Sequence, residues 1–162
     1  MTVSPAQSVR VCLTINGRPL EFAVQPRRSL ADLLRREAGL PGTRLGCEQG
    51  VCGACTVLVD GDPVRACLML AAQADGTEVS TVEGLAPDGR LNPLQQAFTD
   101  CHGVQCGFCT AGFLMLATAL LRDEPRPDRD RIRSALSANL CRCTGYTGII
   151  DAVAQAAGRE LP

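Results

Sequence analysis

Tryptophan and lysine are both missing from this 162-residue chain, and tyrosine and histidine occur once each. Aromatic residues reach only 3%, so a core has to be built mainly from Val, Leu and Ala. Small cores of that kind usually lean on disulfides or metal sites. Neither sign of charge predominates, with 16 basic side chains against 17 acidic ones. The formal net charge is -1, which gives no electrostatic case for a nucleic-acid or anionic-membrane partner. No long hydrophobic run occurs, and the longest, around 113–121, is too short to span a bilayer. The first ten residues lack the apolar core of a secretory signal. These absences point to a soluble cytoplasmic protein without a membrane span. We attach no function to the fact that every basic residue is arginine.

Cysteine, by contrast, is abundant, with ten residues. In a reducing compartment such a number is better explained by metal ligation than by a disulfide framework.

Two halves of different texture surround these cysteines. Val9, Val11, Leu13 and Ile15 alternate as on a half-buried strand, and Leu20, Phe22 and Val24 alternate again after an Asn16-Gly17 turn. Ser29 is an N-cap for a helix with Leu30, Leu33 and Leu34 on one face and Gly39 at its stop. A strand over 55–59 turns at Asp60-Gly61 into another over 64–67. This order predicts a β-grasp: a small mixed sheet with one helix across it. Gly84, Pro87 and Gly89 mark a linker over 81–90. Beyond it, Asn92-Pro93 opens a first helix, and a second over 110–122 is apolar nearly all round. Ile132, Leu136 and Leu140 mark a third, and Ile149, Ile150, Val153 and Ala157 a fourth. The fold class is therefore α+β, a β-grasp domain over 1–80 followed by a four-helix bundle over 91–162.

Cys47, Cys52 and Cys55 have C-x4-C-x2-C spacing, with Cys67 following. That is the spacing of a plant-type 2Fe–2S site. Gly46, Gly50 and Gly53 permit the tight loop and close backbone approach such a site needs, and loop N–H groups offset its negative charge. Zinc sites use paired short spacings instead. The second set is less specific. Cys106 and Cys109 give C-x2-C at the start of the second helix, and Cys141 and Cys143 give C-x-C after the third. Spacing alone admits either a cluster or zinc there. Cys12 and Cys101 remain outside both sets and are expected to be small buried or semi-buried residues. His102 stands alone, whereas a Rieske-type site needs two histidines. Arg142, between two candidate ligands, suits either potential tuning or a surface ion pair. Tyr146 is expected to pack at the start of the last helix.

Three strings carry a family resemblance: Gly46-Cys47-Glu48-Gln49-Gly50-Val51-Cys52-Gly53-Ala54-Cys55-Thr56-Val57, Gln105-Cys106-Gly107-Phe108-Cys109-Thr110, and Asn139-Leu140-Cys141-Arg142-Cys143-Thr144-Gly145-Tyr146. In their order and separation the chain resembles the small iron–sulfur subunit of the xanthine dehydrogenase, or molybdenum hydroxylase, family, from about Val9 to Ala157. The resemblance implies two 2Fe–2S clusters. It places Cys106, Cys109, Cys141 and Cys143 on the cluster nearer molybdenum, and Cys47, Cys52, Cys55 and Cys67 on the one nearer flavin. It sets Gln105 and Cys143 against the partner's molybdopterin. It also implies a large molybdopterin-binding subunit and a medium FAD-binding subunit as partners, since this chain has no room for either cofactor. Substrate chemistry then happens elsewhere, and this chain contributes no catalytic residue. Thr110-Ala111-Gly112 replaces a frequent Thr-Pro-Gly, a change expected to be tolerated. A freely diffusing ferredoxin and a zinc-stabilised interaction domain are the competing readings.

Overall fold

The alternating apolar residues of the N-terminal segment do form a strand, β1 (Val9–Ile15), with Val11, Leu13 and Ile15 buried. The structure is a computed structural model that describes residues 8–158. The outer ends of the two expected domains, residues 1–7 and 159–162, lie outside the described residues. Asn16 and Gly17 both take positive φ, 50° and 77°, as a two-residue hairpin turn requires. They lead into β2 (Arg18–Val24), which pairs antiparallel with β1 from Val9↔Val24 to Ile15↔Arg18. Cys12 corrects an expectation, for it is exposed rather than semi-buried. The same alternation that buries Val11 and Leu13 turns Cys12 to the opposite face.

Ser29 caps the next helix by accepting from Asp32 N–H at 3.0 Å. The helix is one α-turn, α1 (Leu30–Asp32), that widens into a π-turn over Leu33–Glu37. Leu30, Ala31, Leu33 and Leu34 are fully buried against the sheet residues Val11, Val57 and Val79. The remaining strands are β3 (Thr56–Val59), β4 (Asp62–Arg65) and β5 (Glu78–Ser80), giving the order β2-β1-β5-β3-β4. β5 runs parallel to β1 and antiparallel to β3, so the sheet is mixed.

In the helical half, Asn92 and Gln95 cap α2 (Pro93–Asp100) reciprocally, at 2.8 and 2.9 Å. Next come α3 (Thr110–Asp123), α4 (Arg129–Leu136) and α5 (Thr147–Ala156). Phe98, Phe113, Ile132, Leu136, Ile149 and Val153 form their common core. Leu140 does not extend α4 as its spacing suggested; the helix stops at Leu136 and Leu140 is 52% exposed.

Sheet and helices meet through β3. All four of its residues are buried, and Leu58 packs on Met115 and Ala119 of α3. The segment expected as a linker is tied down at its start. Thr81 is fully buried and its N–H donates to Asn16 Oδ1 at 2.8 Å. A 3-10 turn over Val82–Leu85 follows, and Val82 and Leu85 pack on the Leu58 cluster. Among the described residues no helix is long and apolar enough to cross a membrane.

Candidate metal centres

The first cysteine set occupies the loop between α1 and β3. Glu48, Gly50 and Gly53 take φ of 53°, 75° and 73°, and this left-handed sequence curls the backbone so that its N–H groups turn inward. The N–H groups of Cys52 and Gln49 point at Cys47 Sγ from 3.3 and 3.4 Å. These donors, Cys52 first, hold the Cys47 thiol down at about 6. Cys55 behaves in the opposite way. It is 2% exposed, and burial, with the Cys67 thiol and the charge of Cys52 beside it, pushes it up to about 11. The β3–β4 hairpin returns Cys67 to this point through Ala66 N–H, which donates to the Cys55 carbonyl at 3.3 Å. Four thiols therefore share one loop and one hairpin, one of them ready as a thiolate and one ionised only when a cation shares its charge.

The second set is assembled from two helix ends. Cys106 and Cys109 precede α3, and Cys141 and Cys143 lie in the turn between α4 and α5. Cys106 Sγ and Cys143 Sγ are 3.6 Å apart. Burial first, and then the neighbouring Cys141, pushes the Cys109 thiol up to about 12. Burial also pushes Cys141 up, but the Thr144 hydroxyl at 3.1 Å and the Thr144 N–H at 3.4 Å outweigh it and hold the thiol below its ordinary value. Cys143 is raised, mainly by its contact with Cys106. The turn itself is fixed by Tyr146. Its φ is 70°, its hydroxyl accepts from Cys141 N–H at 2.9 Å, and its ring meets Phe113 edge-on at 6.2 Å. Tyr146 is thus a packing residue, as expected, and also a hydrogen-bond partner. The repeated hydroxyls of the Cys-Thr-Gly-Tyr run were the available signal for that second role.

The other singled-out residues stand apart. Gln105, Arg142 and His102 are exposed, and His102 is a turn residue with φ 52°. Cys101 caps the end of α2, half-buried, and donates to Gln155 Oε1 at 3.1 Å.

The candidate donors are all cysteine sulfur, which suits zinc or iron–sulfur. Among the described residues no three His, Cys, Asp or Glu side chains gather as one mononuclear ion requires. Instead the second set stands in pairs, Cys106 with Cys143 and Cys109 with Cys141. Two thiolates on one tetrahedral metal at about 2.3 Å are separated by about 3.7 Å, close to the pair distance seen here. Two such pairs, with N–H donors aimed at sulfur, fit an anionic two-metal group.

Comparison with known proteins agrees. Residues 13–86 match the family described as 2Fe-2S iron-sulfur cluster binding domain, and residues 81–154 the family described as [2Fe-2S] binding domain. The chain is 55% identical to the nicotine 6-hydroxylase small subunit of Paenarthrobacter nicotinovorans, over 98% of this chain and 95% of that one. It is 46% identical to the xanthine dehydrogenase iron-sulfur-binding subunit of Escherichia coli O157:H7, over 91% and 94%. Among solved structures, quinoline 2-oxidoreductase from Pseudomonas putida 86 superposes with a TM-score of 0.89 at 55% identity, covering 94% of this chain and 97% of that one.

Proposed function

The chain belongs to the family of small 2Fe–2S subunits of the xanthine dehydrogenase, or molybdenum hydroxylase, enzymes, and from that premise we propose a two-cluster electron relay. The observation that carries the reading is the approach of thiols from separate elements, Cys106 Sγ to Cys143 Sγ at 3.6 Å, together with the N–H groups aimed at Cys47 Sγ in the other set. Cys47, Cys52, Cys55 and Cys67 hold one cluster, and Cys106, Cys109, Cys141 and Cys143 hold the other. A bound 2Fe–2S cluster supplies one-electron redox chemistry at each place.

This chain's residues do the rest. The N–H groups of Gln49 and Cys52 stabilise negative charge on the Cys47 sulfur, and Thr144 does the same for Cys141. Gln105 and Cys143, both exposed, face the molybdopterin of a large partner subunit. The first set faces the FAD of a medium subunit or another acceptor, so electrons pass from molybdenum through the helical half and then the sheet half. The division at 1–80 and 91–162, joined by 81–90, separates the two relay stations. Substrate is oxidised on the large subunit, in the cytoplasm, and no catalytic residue resides here.

Anaerobic purification tests this. Iron and acid-labile sulfide at four of each per chain, with visible bands bleached by dithionite, are the expected result. Zinc in a colourless protein would overturn the reading. Co-purification with two larger subunits separates a relay subunit from a free ferredoxin.

A further inference from the structure

The three residues that lead into Cys141 are gripped in turn by the first cysteine site. Arg65 donates both to Thr56 Oγ1 and to the Ala138 carbonyl. Asn139 is fully buried and presses on Gly53, where an added Cβ would stand 1.9 Å from Asn139 Oδ1. Leu140 N–H donates to the Cys52 carbonyl at 2.9 Å. Gly112 of α3 closes the same contact, for a Cβ there would stand 2.2 Å from the Gly53 carbonyl oxygen. Neither amide atom of Asn139 has a hydrogen-bond partner. A buried, unpaired carboxamide costs stability that an apolar side chain of similar size would not. Its presence between two ligand loops therefore calls for a reason other than stability.

We propose that Asn139 and Arg65 are positioning residues that lock the two cysteine sites at one separation. Electron exchange then crosses a rigid gap, and tunnelling, which falls steeply with distance, is insensitive to motion of the sheet against the helices. This rests on the two-cluster reading above.

The full chain, loaded anaerobically with iron and sulfide and reduced with dithionite, is read by EPR power saturation beside the one-site variant Cys52→Ala. Two nearby paramagnets relax each other, so the native chain is expected to saturate at higher power than that variant. Asn139→Ala and Arg65→Met, at full iron content, are expected to shift half-saturation toward the one-site value. A purely structural role would lower the melting temperature or the iron content and leave the saturation of loaded protein unchanged. Native saturation in both variants overturns the proposal, as does a native chain that saturates like the one-site variant. Where Asn139→Ala does not fold, the half-exposed Arg65 position decides. A chain that binds no iron overturns the cluster reading instead.

Discussion

The two cysteine sites reach similar chemistry by different routes. The first is local: three of its thiols lie within nine residues and the fourth returns on the next hairpin. Its charge is offset by the backbone of the same loop. The second is tertiary. Its thiols come from the start of α3 and from the α4–α5 turn, and side-chain hydroxyls of Thr144 and Tyr146 hold Cys141 in place. A local site depends on loop conformation, whereas a tertiary one depends on every helix that packs beneath it.

The sharpest break between them comes from removing one ligand. Cys52→Ala is expected to abolish the first cluster's EPR signal and about half the bound iron, with the second signal retained. Survival of both signals would sink the ligand assignment. The next largest effect is expected in the core. Phe113 is fully buried and supports Tyr146, so Phe113→Ala should cost about 3–5 kcal/mol. Denaturant unfolding reads that loss, and the second signal should broaden or vanish while the first persists. Equal damage to both sites would erase the distinction between local and tertiary.

Tyr146→Phe is gentler. It removes the acceptor for Cys141 N–H and should cost about 1 kcal/mol, visible as a small drop in melting temperature with a shift in the second cluster's g values alone. The smallest effect concerns protons in the metal-free chain. The Cys47 thiol is lowered from 9.0 to about 6, so the folded state favours its thiolate. The resulting stabilisation is complete above about pH 9 and is lost as pH falls through about 6. Iodoacetamide at neutral pH should therefore label Cys47 well before Cys55 or Cys109, whose thiols are raised. Uniform labelling, followed by peptide mass mapping, would contradict that ordering.

The same contrast explains what could be read from the chain alone. C-x4-C-x2-C identifies the first site because its geometry is a property of one loop. The second needs knowledge of where α3 begins and where α4 ends, and the spacing of Ile132, Leu136 and Leu140 misplaced the end of α4. Leu140 leaves the helical path because its N–H is taken by the Cys52 carbonyl, a tertiary bond with no trace in periodicity. The strands and caps were legible through alternation, Asn16-Gly17, Ser29 and Asn92. Cys12 was misread as buried or semi-buried, although the alternation that buries Val11 and Leu13 turns it to the exposed face. The π-turn after Asp32 and the anchoring of Thr81 by Asn16 had no local signal, because each is imposed by the packing around it.

The burial of β3 by α3 has a consequence for biosynthesis. A ribosome delivers the sheet while the helix that covers Leu58 is still being made. For that interval a greasy strip stands open on the nascent polypeptide. A fragment ending before Thr110 keeps it open permanently, and such a fragment should clump or recruit chaperones where the whole chain does not.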